Sequence, residues 1–296
     1  MDFKNYLVPG KTGLLIGIGG VSMSPLAEVL HDAGLDIRGS DMAESSNTLT
    51  LREHGIPIHI GHSADNVTDD ISFVIRTAAV HDDNPEVHEA HRRGIPVFER
   101  TQAWGALMRG YQNALCISGT HGKTTTTSMC THIMMAAEKD PTVMIGGTLP
   151  LLKACHRVGK GNTIIMESCE YYNSFLALNP TIAVVLNIEA DHLDFFKDLE
   201  DIKHSFRCFA ERVPAETGTV IANYDDANTM DALRGIARKV ITFGLNAKAD
   251  VYAQNIVHRG SVSEFDIYYR GNYFARVTLH VPGIHNVRNA LAATAA

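Results

Sequence analysis

The sequence has few cysteines, and it has no apolar run long enough to cross a membrane. Its five cysteines are scattered along the chain and form no C-x-x-C pair, which argues against a disulfide framework and against a zinc site. We therefore expect reduced thiols that behave as buried, small apolar residues. The N-terminal residues MDFKNYLVPGK contain no apolar signal segment, so we also expect a soluble protein of the cytoplasm with no membrane partner.

Charge of one sign is not concentrated anywhere either. The chain has 26 lysines and arginines against 33 aspartates and glutamates, a net charge of -7. A protein that binds the phosphate backbone of DNA or RNA needs a basic surface, so we expect no nucleic-acid partner. The length of 296 residues exceeds the usual size of a single hydrophobic core, which favours two domains.

Short apolar strands alternate with polar-faced helical stretches through the first hundred residues, as in GLLIGIGG, SPLAEVLHDAG and LDIRGSD. This repeated βα pattern predicts an α/β fold with a Rossmann-like parallel sheet. A new apolar strand, ALCIS, opens directly after MRGYQN. We place the domain boundary there and predict domains at residues 1–110 and 111–296.

The second domain continues the α/β pattern with the strands NTIIMES, TIAVVLNI, GTVIANY and KVITFG. The segment SEFDIYYRGNYFARVTLHV then alternates apolar and polar residues around Gly271 and Asn272, which predicts an antiparallel hairpin appended to the second sheet. The Ala-rich stretch at the end of the sequence is typical of a helix that stops early. We therefore expect a fragment of a longer polypeptide.

The segment CISGTHGKTTTTSMC places an apolar strand, a glycine turn and a helix start in that order. Such a turn directs backbone N–H groups and the positive end of the helix dipole at one point, which suits a phosphate. Lys123 would add a full charge for the β and γ phosphates of ATP, and the Thr124 hydroxyl would reach a magnesium ion. Because Ile117 stands where the common P-loop has glycine, only the G-K-T core of a P-loop ATPase matches. The residues that we expect to bind ATP here are Gly119, Thr120, His121, Gly122, Lys123, Thr124 and Thr125.

An earlier glycine turn, GIGGVSMS, follows the first apolar strand. An aspartate stands about 20 residues later, at the end of the next strand, where dinucleotide-binding folds place the acid that binds ribose. These features predict a second anion site, for a diphosphate-linked ligand; a tight turn that serves only helix packing is the alternative. The residues expected to contact this ligand are Gly17, Gly19, Gly20, Ser22 and Asp41.

Charged side chains follow two of the predicted strands in the second domain. Strand NTIIM leads to Glu167 and Glu170, and strand TIAVVLNI leads to EADH, which ends at His192. Because the carboxyl ends of parallel strands line the ligand crevice of an open α/β sheet, Glu167 and His192 should face Lys123. We expect both to bind magnesium together with Thr124, the carboxylate as an ordinary ligand and the imidazole as a less usual one. A hydrogen-bonded structural role is the alternative for His192.

The motifs GIGGVSMS, GTHGKTTTT, ESCEYYNSFL, LNIEADHLD and PGIHNVRNALAA, in this order and spacing, resemble the Mur ligases of peptidoglycan synthesis. The resemblance covers essentially the whole chain. It implies a UDP-binding domain followed by a central ATPase domain, without the third domain that brings the amino acid. It also implies that Lys123 and Thr124 bind ATP phosphates and magnesium and that Glu167 and His192 match the metal ligands, so that Lys123, Glu167 and His192 form the expected catalytic set. The residues that match the family's adenine-side motif are His285, Asn286 and Asn289.

Some positions depart from the family pattern. Ser22 and Pro25 replace glycines of the first turn, and Phe206 stands where several sister ligases carry a carbamylated lysine. The missing lysine favours the branch of the family that adds L-alanine to UDP-N-acetylmuramate, with ATP and Mg²⁺.

The reaction implied by the resemblance begins with attack of the lactyl carboxylate on the γ phosphate, which gives an acyl phosphate and ADP. The amine of L-alanine then displaces phosphate. The alternatives left open are the branch that recycles murein tripeptide, a P-loop kinase or NTPase, a nicotinamide oxidoreductase inferred from GIGG and Asp41, and a pure binding module.

Overall fold

The computed structural model describes residues 2–77 and 79–296. The chain divides into two compact units, of which the first ends at Gly110 and the second begins at Tyr111. Each unit has its own sheet.

The strands of the first unit are β1 (Thr12–Ile16), β2 (Asp36–Asp41), β3 (Ile58–Ile60), β4 (Ile71–Arg76) and β5 (Val97–Glu99). They form one parallel sheet in the order β3-β2-β1-β4-β5. The helices of this unit are α1 (Ser24–Asp32), α2 (Ser46–Glu53), α3 (Pro85–Arg92) and α4 (Arg100–Met108). Because all five strands run the same way, their carboxyl ends meet at one edge, with the GIGGVSMS turn at the centre.

The central strand of the first sheet is buried on both faces, as expected where helices cover both sides of a parallel sheet. Leu14, Leu15 and Ile16 are fully buried. Gly13 is required by packing, since a Cβ there would lie 2.2 Å from the ring of Phe73.

The strands of the second unit are β6 (Asn113–Ser118), β7 (Thr142–Leu149), β8 (Ala154–Arg157), β9 (Thr163–Glu167), β10 (Ile182–Val185), β11 (Thr219–Asn223), β12 (Lys239–Gly244), β13 (Val251–Arg259), β14 (Val262–Tyr269) and β15 (Asn272–Leu279). Their order is β15-β14-β13-β12-β11-β10-β6-β9-β7-β8. The pairs β13–β14, β14–β15 and β7–β8 are antiparallel and the others are parallel. The site described below lies at the carboxyl ends of β6, β9 and β10.

The helices of the second unit are α5 (Lys123–Ala136), α6 (Leu199–Ala210), α7 (Ala227–Ala232) and α8 (Ile284–Ala295). Leu291 and Val287 of α8 and Cys130 of α5 belong to the same buried cluster as Ile117 of β6 and Val184 of β10. The two helices therefore pack on the central strands that carry the site. None of the helices within residues 2–77 and 79–296 combines the length and the apolar character needed to cross a membrane.

The predicted α/β class is confirmed, and so is the antiparallel hairpin, which is formed by β14 and β15. The sequence analysis did not predict α4, β7, β8 or β13. Trp104 and its neighbours in α4 are buried nearly all round, so that helix shows no polar face. β7 contains the pair Gly146-Gly147 and β8 is half-buried throughout, so neither has the apolar alternation that identifies a strand.

The cysteines correct one expectation. Cys116 and Cys130 are buried, and burial raises the pKa of each thiol to about 12. Cys155 and Cys208 are only half-buried, and Cys169 is exposed because it lies in the segment that leaves the end of β9. The expectation that all five are buried is therefore wrong.

Candidate active site

Between β6 and α5 the chain makes the glycine turn that the sequence analysis singled out. Gly119 and Gly122 have φ values of +141° and +88°, which glycine adopts without steric penalty. A Cβ at Gly119 would lie 2.8 Å from Cβ of Leu186, and a Cβ at Gly122 would lie 2.7 Å from Oδ1 of Asn289. Because Gly122 is the residue before α5 and has no side chain to cap it, the first amides of the helix can serve an anion.

Lys123 begins α5, and its ammonium group folds back over the turn. Nζ donates hydrogen bonds to the carbonyl oxygens of Gly119 at 2.5 Å and Thr120 at 3.3 Å. It lies 3.1 Å from Oε2 of Glu170, and the two side chains are 15% and 3% exposed. A cation at the positive end of a helix is unfavourable by itself, so these carbonyls and this buried carboxylate hold the charge in place.

Thr124 and Glu167 form the oxygen-rich part of the site. The Thr124 hydroxyl donates to the Glu167 carboxylate at 2.9 and 3.2 Å, and the amide of Gly146 donates to Oε2 of Glu167 at 2.7 Å. A hydroxyl and a carboxylate at this separation are ligands that Mg²⁺ prefers. The residues present therefore fit a magnesium ion.

His192 lies in the loop after β10, in a left-handed conformation with φ of 52°. Its ring stacks on that of Tyr171, with 4.3 Å between centroids, and its Nε2 is 3.9 Å from Oδ2 of Asp191. Within residues 2–77 and 79–296, the hydrogen bonds and ion pairs of His192 do not include Thr124 or Glu167, and no group of three or more His, Cys, Asp and Glu residues could hold a metal ion. The structure thus brings Thr124 and Glu167 together and places His192 beside Tyr171.

Asn187, which the sequence analysis missed, holds the turn from the neighbouring strand end. Its Oδ1 accepts from the amide of His121 at 2.7 Å, and its Nδ2 donates to the carbonyl of His121 at 3.0 Å. The Thr120 hydroxyl accepts from the amide of Glu189 at 2.9 Å, so this side chain stabilises the loop that follows β10. Thr125 is half-buried in the first turn of α5. The position of Asn187 at a strand end was the one signal that could have identified it.

A cavity of about 410 Å³ opens beside the same turn. His285 and Asn289 line it, whereas Asn286 donates from Nδ2 to the carbonyl of Pro282 and accepts from Nδ2 of Asn289 at Oδ1. Asn286 therefore orients Asn289. The other lining residues include the acids and the arginine that the sequence analysis did not select: Glu189, Asp225, Asp226 and Arg288.

In the first unit, a cavity of about 710 Å³ lies at the carboxyl ends of the strands. Gly17, Gly19, Gly20 and Asp41 line it. Oδ2 of Asp41 accepts from the amide of Gly19 at 2.8 Å, so this carboxylate ties the end of β2 to the turn after β1. His62, which the sequence analysis did not select, also lines the cavity.

Ser22 does not line that cavity. Its hydroxyl accepts from the guanidinium of Arg100, and its carbonyl accepts from Nε1 of Trp104 at 3.3 Å. The serine therefore ties the start of α1 to α4. Pro25 lies in the first turn of α1, a position that proline favours.

Phe206, which the sequence analysis identified as a departure from the family pattern, lies in the core of the second unit. It is fully buried, and its ring meets that of Phe175 edge-on at 5.3 Å. This position serves packing and offers no polar group to the site.

Two family models match the chain. The Mur ligase family, catalytic domain, matches residues 15–112, and the Mur ligase middle domain matches residues 117–296. Among curated proteins, the UDP-N-acetylmuramate–L-alanine ligase of Agathobacter rectalis is 46% identical over 95% of this chain and 61% of its own length. The chain thus spans about three-fifths of the length of the curated relatives it matches.

Solved structures show the same relationship. The UDP-N-acetylmuramate-alanine ligase MurC of Thermotoga maritima is similar with a TM-score of 0.79 and 31% identity, covering 96% of this chain and 64% of that one. The UDP-N-acetylmuramate:L-alanyl-gamma-D-glutamyl-meso-diaminopimelate ligase of Neisseria meningitides is similar with a TM-score of 0.84 and 26% identity, covering 96% and 92%. On the match of both units, this chain belongs to the Mur ligase family.

Proposed function

We propose that the chain supplies the UDP-sugar-binding and ATP-binding units of a cytoplasmic ligase that joins L-alanine to UDP-N-acetylmuramate. The observation that carries this proposal is the placement of Lys123 at the start of α5, paired with buried Glu170 and adjacent to Thr124. An ammonium group over a glycine turn suits the phosphates of ATP. The curated relatives that match 95% of this chain are named UDP-N-acetylmuramate–L-alanine ligases, which supports the choice of substrates.

The chemistry needs no protein nucleophile. The lactyl carboxylate of UDP-N-acetylmuramate attacks the γ phosphorus of ATP, the bond to the bridging oxygen breaks, and ADP leaves. The amine of L-alanine then attacks the acyl carbon of the acyl phosphate, phosphate leaves, and the nitrogen loses a proton. Because the first step joins two anions, the protein must offset negative charge, and the Lys123 ammonium and the turn amides are placed to do so.

Thr124 and Glu167 are the residues that would hold magnesium. When bound there, the ion would supply positive charge to the phosphate oxygens. In this proposal His192 stacks on Tyr171 and is not a magnesium ligand, since imidazole is an unusual ligand for Mg²⁺. The adenine end of ATP would enter the cavity lined by His285 and Asn289.

A second candidate is the ligase that recycles murein tripeptide. The Neisseria meningitides structure favours it by similarity of fold, with a TM-score of 0.84, but its identity to this chain is only 26%. The curated relatives at 46 and 44% identity favour the L-alanine ligase. The acceptor amine therefore distinguishes the two candidates.

Calorimetry of this chain against UDP-N-acetylmuramate, UDP-N-acetylglucosamine and ATP tests the proposal. We expect separate, saturable binding of ATP and of the UDP-sugar, with little or no ligation by this chain alone. In the protein extended to the length of its relatives, phosphate release should depend on L-alanine. Release that depends on tripeptide would favour the second candidate, and release without any amine would favour an NTPase.

A further inference from the structure

Glu86, in the first turn of α3, is a fully buried carboxylate of the first unit. Three donors converge on it: Oγ of Ser40 at 2.8 Å, Nδ2 of Asn66 at 2.6 Å and Nδ1 of His62 at 2.8 Å. Burial of a carboxylate is unfavourable unless hydrogen bonds satisfy it. These bonds satisfy Glu86 and also tie the end of β2, the segment after β3 and α3 to one another.

His62 connects this buried network to the cavity of the first unit. Its side chain is 13% exposed, and it is one of the residues that line the cavity. Nδ1 is occupied by Glu86 and lies 3.2 Å from Oγ of Ser40, so Nε2 is the ring nitrogen left for a ligand. In the neutral ring this contact places the proton on Nδ1, because an ionised carboxylate can only accept, and Nε2 is then an acceptor.

The strand order places His62 at a particular part of the ligand. The glycine turn follows β1, Asp41 ends β2, and His62 follows β3, and these strands are neighbours in the order β3-β2-β1. In an open α/β sheet the phosphates lie on the glycine turn and the ribose lies towards the acid of the second strand. A ligand that runs from the glycine turn after β1 past Asp41 at the end of β2 therefore has its nucleoside half near His62, after β3.

We propose that Nε2 of His62 accepts a hydrogen bond from a donor on the nucleoside half of the ligand, a ribose hydroxyl or the N3–H of uracil. Glu86 is a positioning residue, which fixes the tautomer and the orientation of the ring. This inference rests on the proposed function, in which the cavity takes a UDP-sugar. The contact would distinguish a nucleotide from pyrophosphate, because ionised phosphate groups offer no hydrogen-bond donor to Nε2.

Calorimetry of the whole chain with UDP and with pyrophosphate tests the contact. His62→Ala should weaken UDP binding about tenfold, the effect of losing one buried hydrogen bond, and leave pyrophosphate binding unchanged. His62→Gln, which can return an acceptor, should recover part of the loss. The matched control is His59→Ala, an exposed histidine on β3, which should change neither affinity.

The outcomes distinguish a failure of the proposed function from a failure of the His62 contact alone. If the wild-type chain does not bind UDP, the proposed function fails and this inference fails with it. If the wild type binds UDP but His62→Ala binds it equally well, only this inference is overturned. Equal loss of UDP and pyrophosphate in His62→Ala also overturns it, because the network would then support the cavity as a whole.

UDP analogues identify the donor. The wild type should bind either 2′-deoxy-UDP, 3′-deoxy-UDP or N3-methyl-UDP about tenfold more weakly than UDP, and His62→Ala should show no further loss with that analogue. If His62→Ala weakens binding of all three analogues as much as it weakens UDP, none of these donors meets His62 and the contact is overturned.

Glu86→Gln tests the positioning role by a spectroscopic readout. ¹⁵N NMR of the His62 ring should show a single Nδ1–H tautomer in the wild type and a mixture in the variant, because an amide can donate to Nδ1 as well as accept from it. UDP binding should weaken about threefold, with pyrophosphate binding unchanged. An unchanged tautomer with unchanged affinity would overturn the role of Glu86.

Discussion

The two glycine turns of this chain follow the same local pattern and differ in how they carry charge. In the second unit Lys123 begins the helix after the turn, 3.1 Å from the buried carboxylate of Glu170. In the first unit the turn GIGGVSMS contains no basic residue, and Asp41 accepts a hydrogen bond from the amide of Gly19. Both turns lead into a helix, but only the second adds a full positive charge.

This difference indicates different tasks. A turn that only anchors a diphosphate needs amides, shape and hydrogen bonds. A turn at which phosphate is transferred must also offset charge that develops during the reaction, and a lysine supplies it. We therefore propose that the second unit carries the chemistry and that the first unit recognises the other ligand, and the predictions below test that division.

The largest effect is expected from Lys123→Ala. This variant should weaken ATP binding by about 100-fold or more and leave UDP binding unchanged, because the charge that meets the phosphates is lost from one turn only. In the protein extended to the length of its relatives, turnover should be nearly abolished. Calorimetry and phosphate release measure the two effects.

Lys139→Ala is the matched control, since Lys139 is an exposed lysine just beyond the other end of α5. It should bind ATP as the wild type does. Near-normal phosphate release by Lys123→Ala would contradict the assignment of the site.

The next largest effect is expected from Glu170→Ala. Removal of the buried partner of Lys123 leaves a cation at the positive end of a helix, so the free energy of unfolding should fall by about 2 kcal/mol. Tripolyphosphate should raise the free energy of unfolding of Glu170→Ala more than that of the wild type, because it replaces the missing negative charge.

Urea unfolding, followed by circular dichroism with and without tripolyphosphate, measures both quantities. Glu216→Ala is the control, because Glu216 is exposed. Equal stabilisation of wild type and Glu170→Ala by tripolyphosphate would show that Glu170 does not compete with phosphate for Lys123.

Much of this division could be predicted from the sequence, because strand, glycine turn and helix are local features. The pattern around Lys123 predicts the glycine turn and the helix start, and the end of β9 predicts nearby carboxylates. In the structure Glu170 pairs with Lys123, and Glu167 accepts from Thr124. The pairing of Asn187 with His121 could not be predicted, since it joins residues far apart in the chain. The same holds for His62 and Glu86, which are an ordinary loop histidine and an ordinary helix glutamate until the fold brings them together.

A smaller effect is expected from salt. ADP and UDP carry the same number of phosphates, so a comparison of their binding isolates the protein's contribution. Between about 50 and 500 mM NaCl, ADP binding should weaken about tenfold and UDP binding about threefold, because screening weakens the contribution of Lys123. Calorimetry at several salt concentrations measures, for each nucleotide, how steeply the affinity falls as the salt concentration rises. Lys123→Ala should reduce this salt dependence for ADP to that for UDP. Equal salt dependence of ADP and UDP binding in the wild type would contradict the distinction between the two turns.

The smallest effect concerns Glu89 and two arginines, a charged cluster that does not line the cavity of the first unit. Glu89 of α3 accepts hydrogen bonds from Arg92 and Arg93, which lower the pKa of its carboxyl to about 2 from an ordinary value of 4.5. A carboxyl with a lowered pKa in the folded state stabilises the protein above pH 4.5, and this stabilisation is lost as the pH falls from 4.5 to about 2. Glu89→Gln should therefore be less stable than the wild type at neutral pH, and the difference should vanish at low pH.

The fluorescence of Trp104, the one tryptophan of the sequence, reports unfolding of the first unit and can follow this difference. Glu53→Gln, at an exposed position of α2, is the control and should leave the pH dependence unchanged. Because Glu89 pairs with arginines that do not line the cavity, added UDP should raise the stability of wild type and Glu89→Gln equally. A ligand-dependent difference would mean that charge pairs in the first unit also respond to the ligand, as the Lys123–Glu170 pair is expected to do in the second.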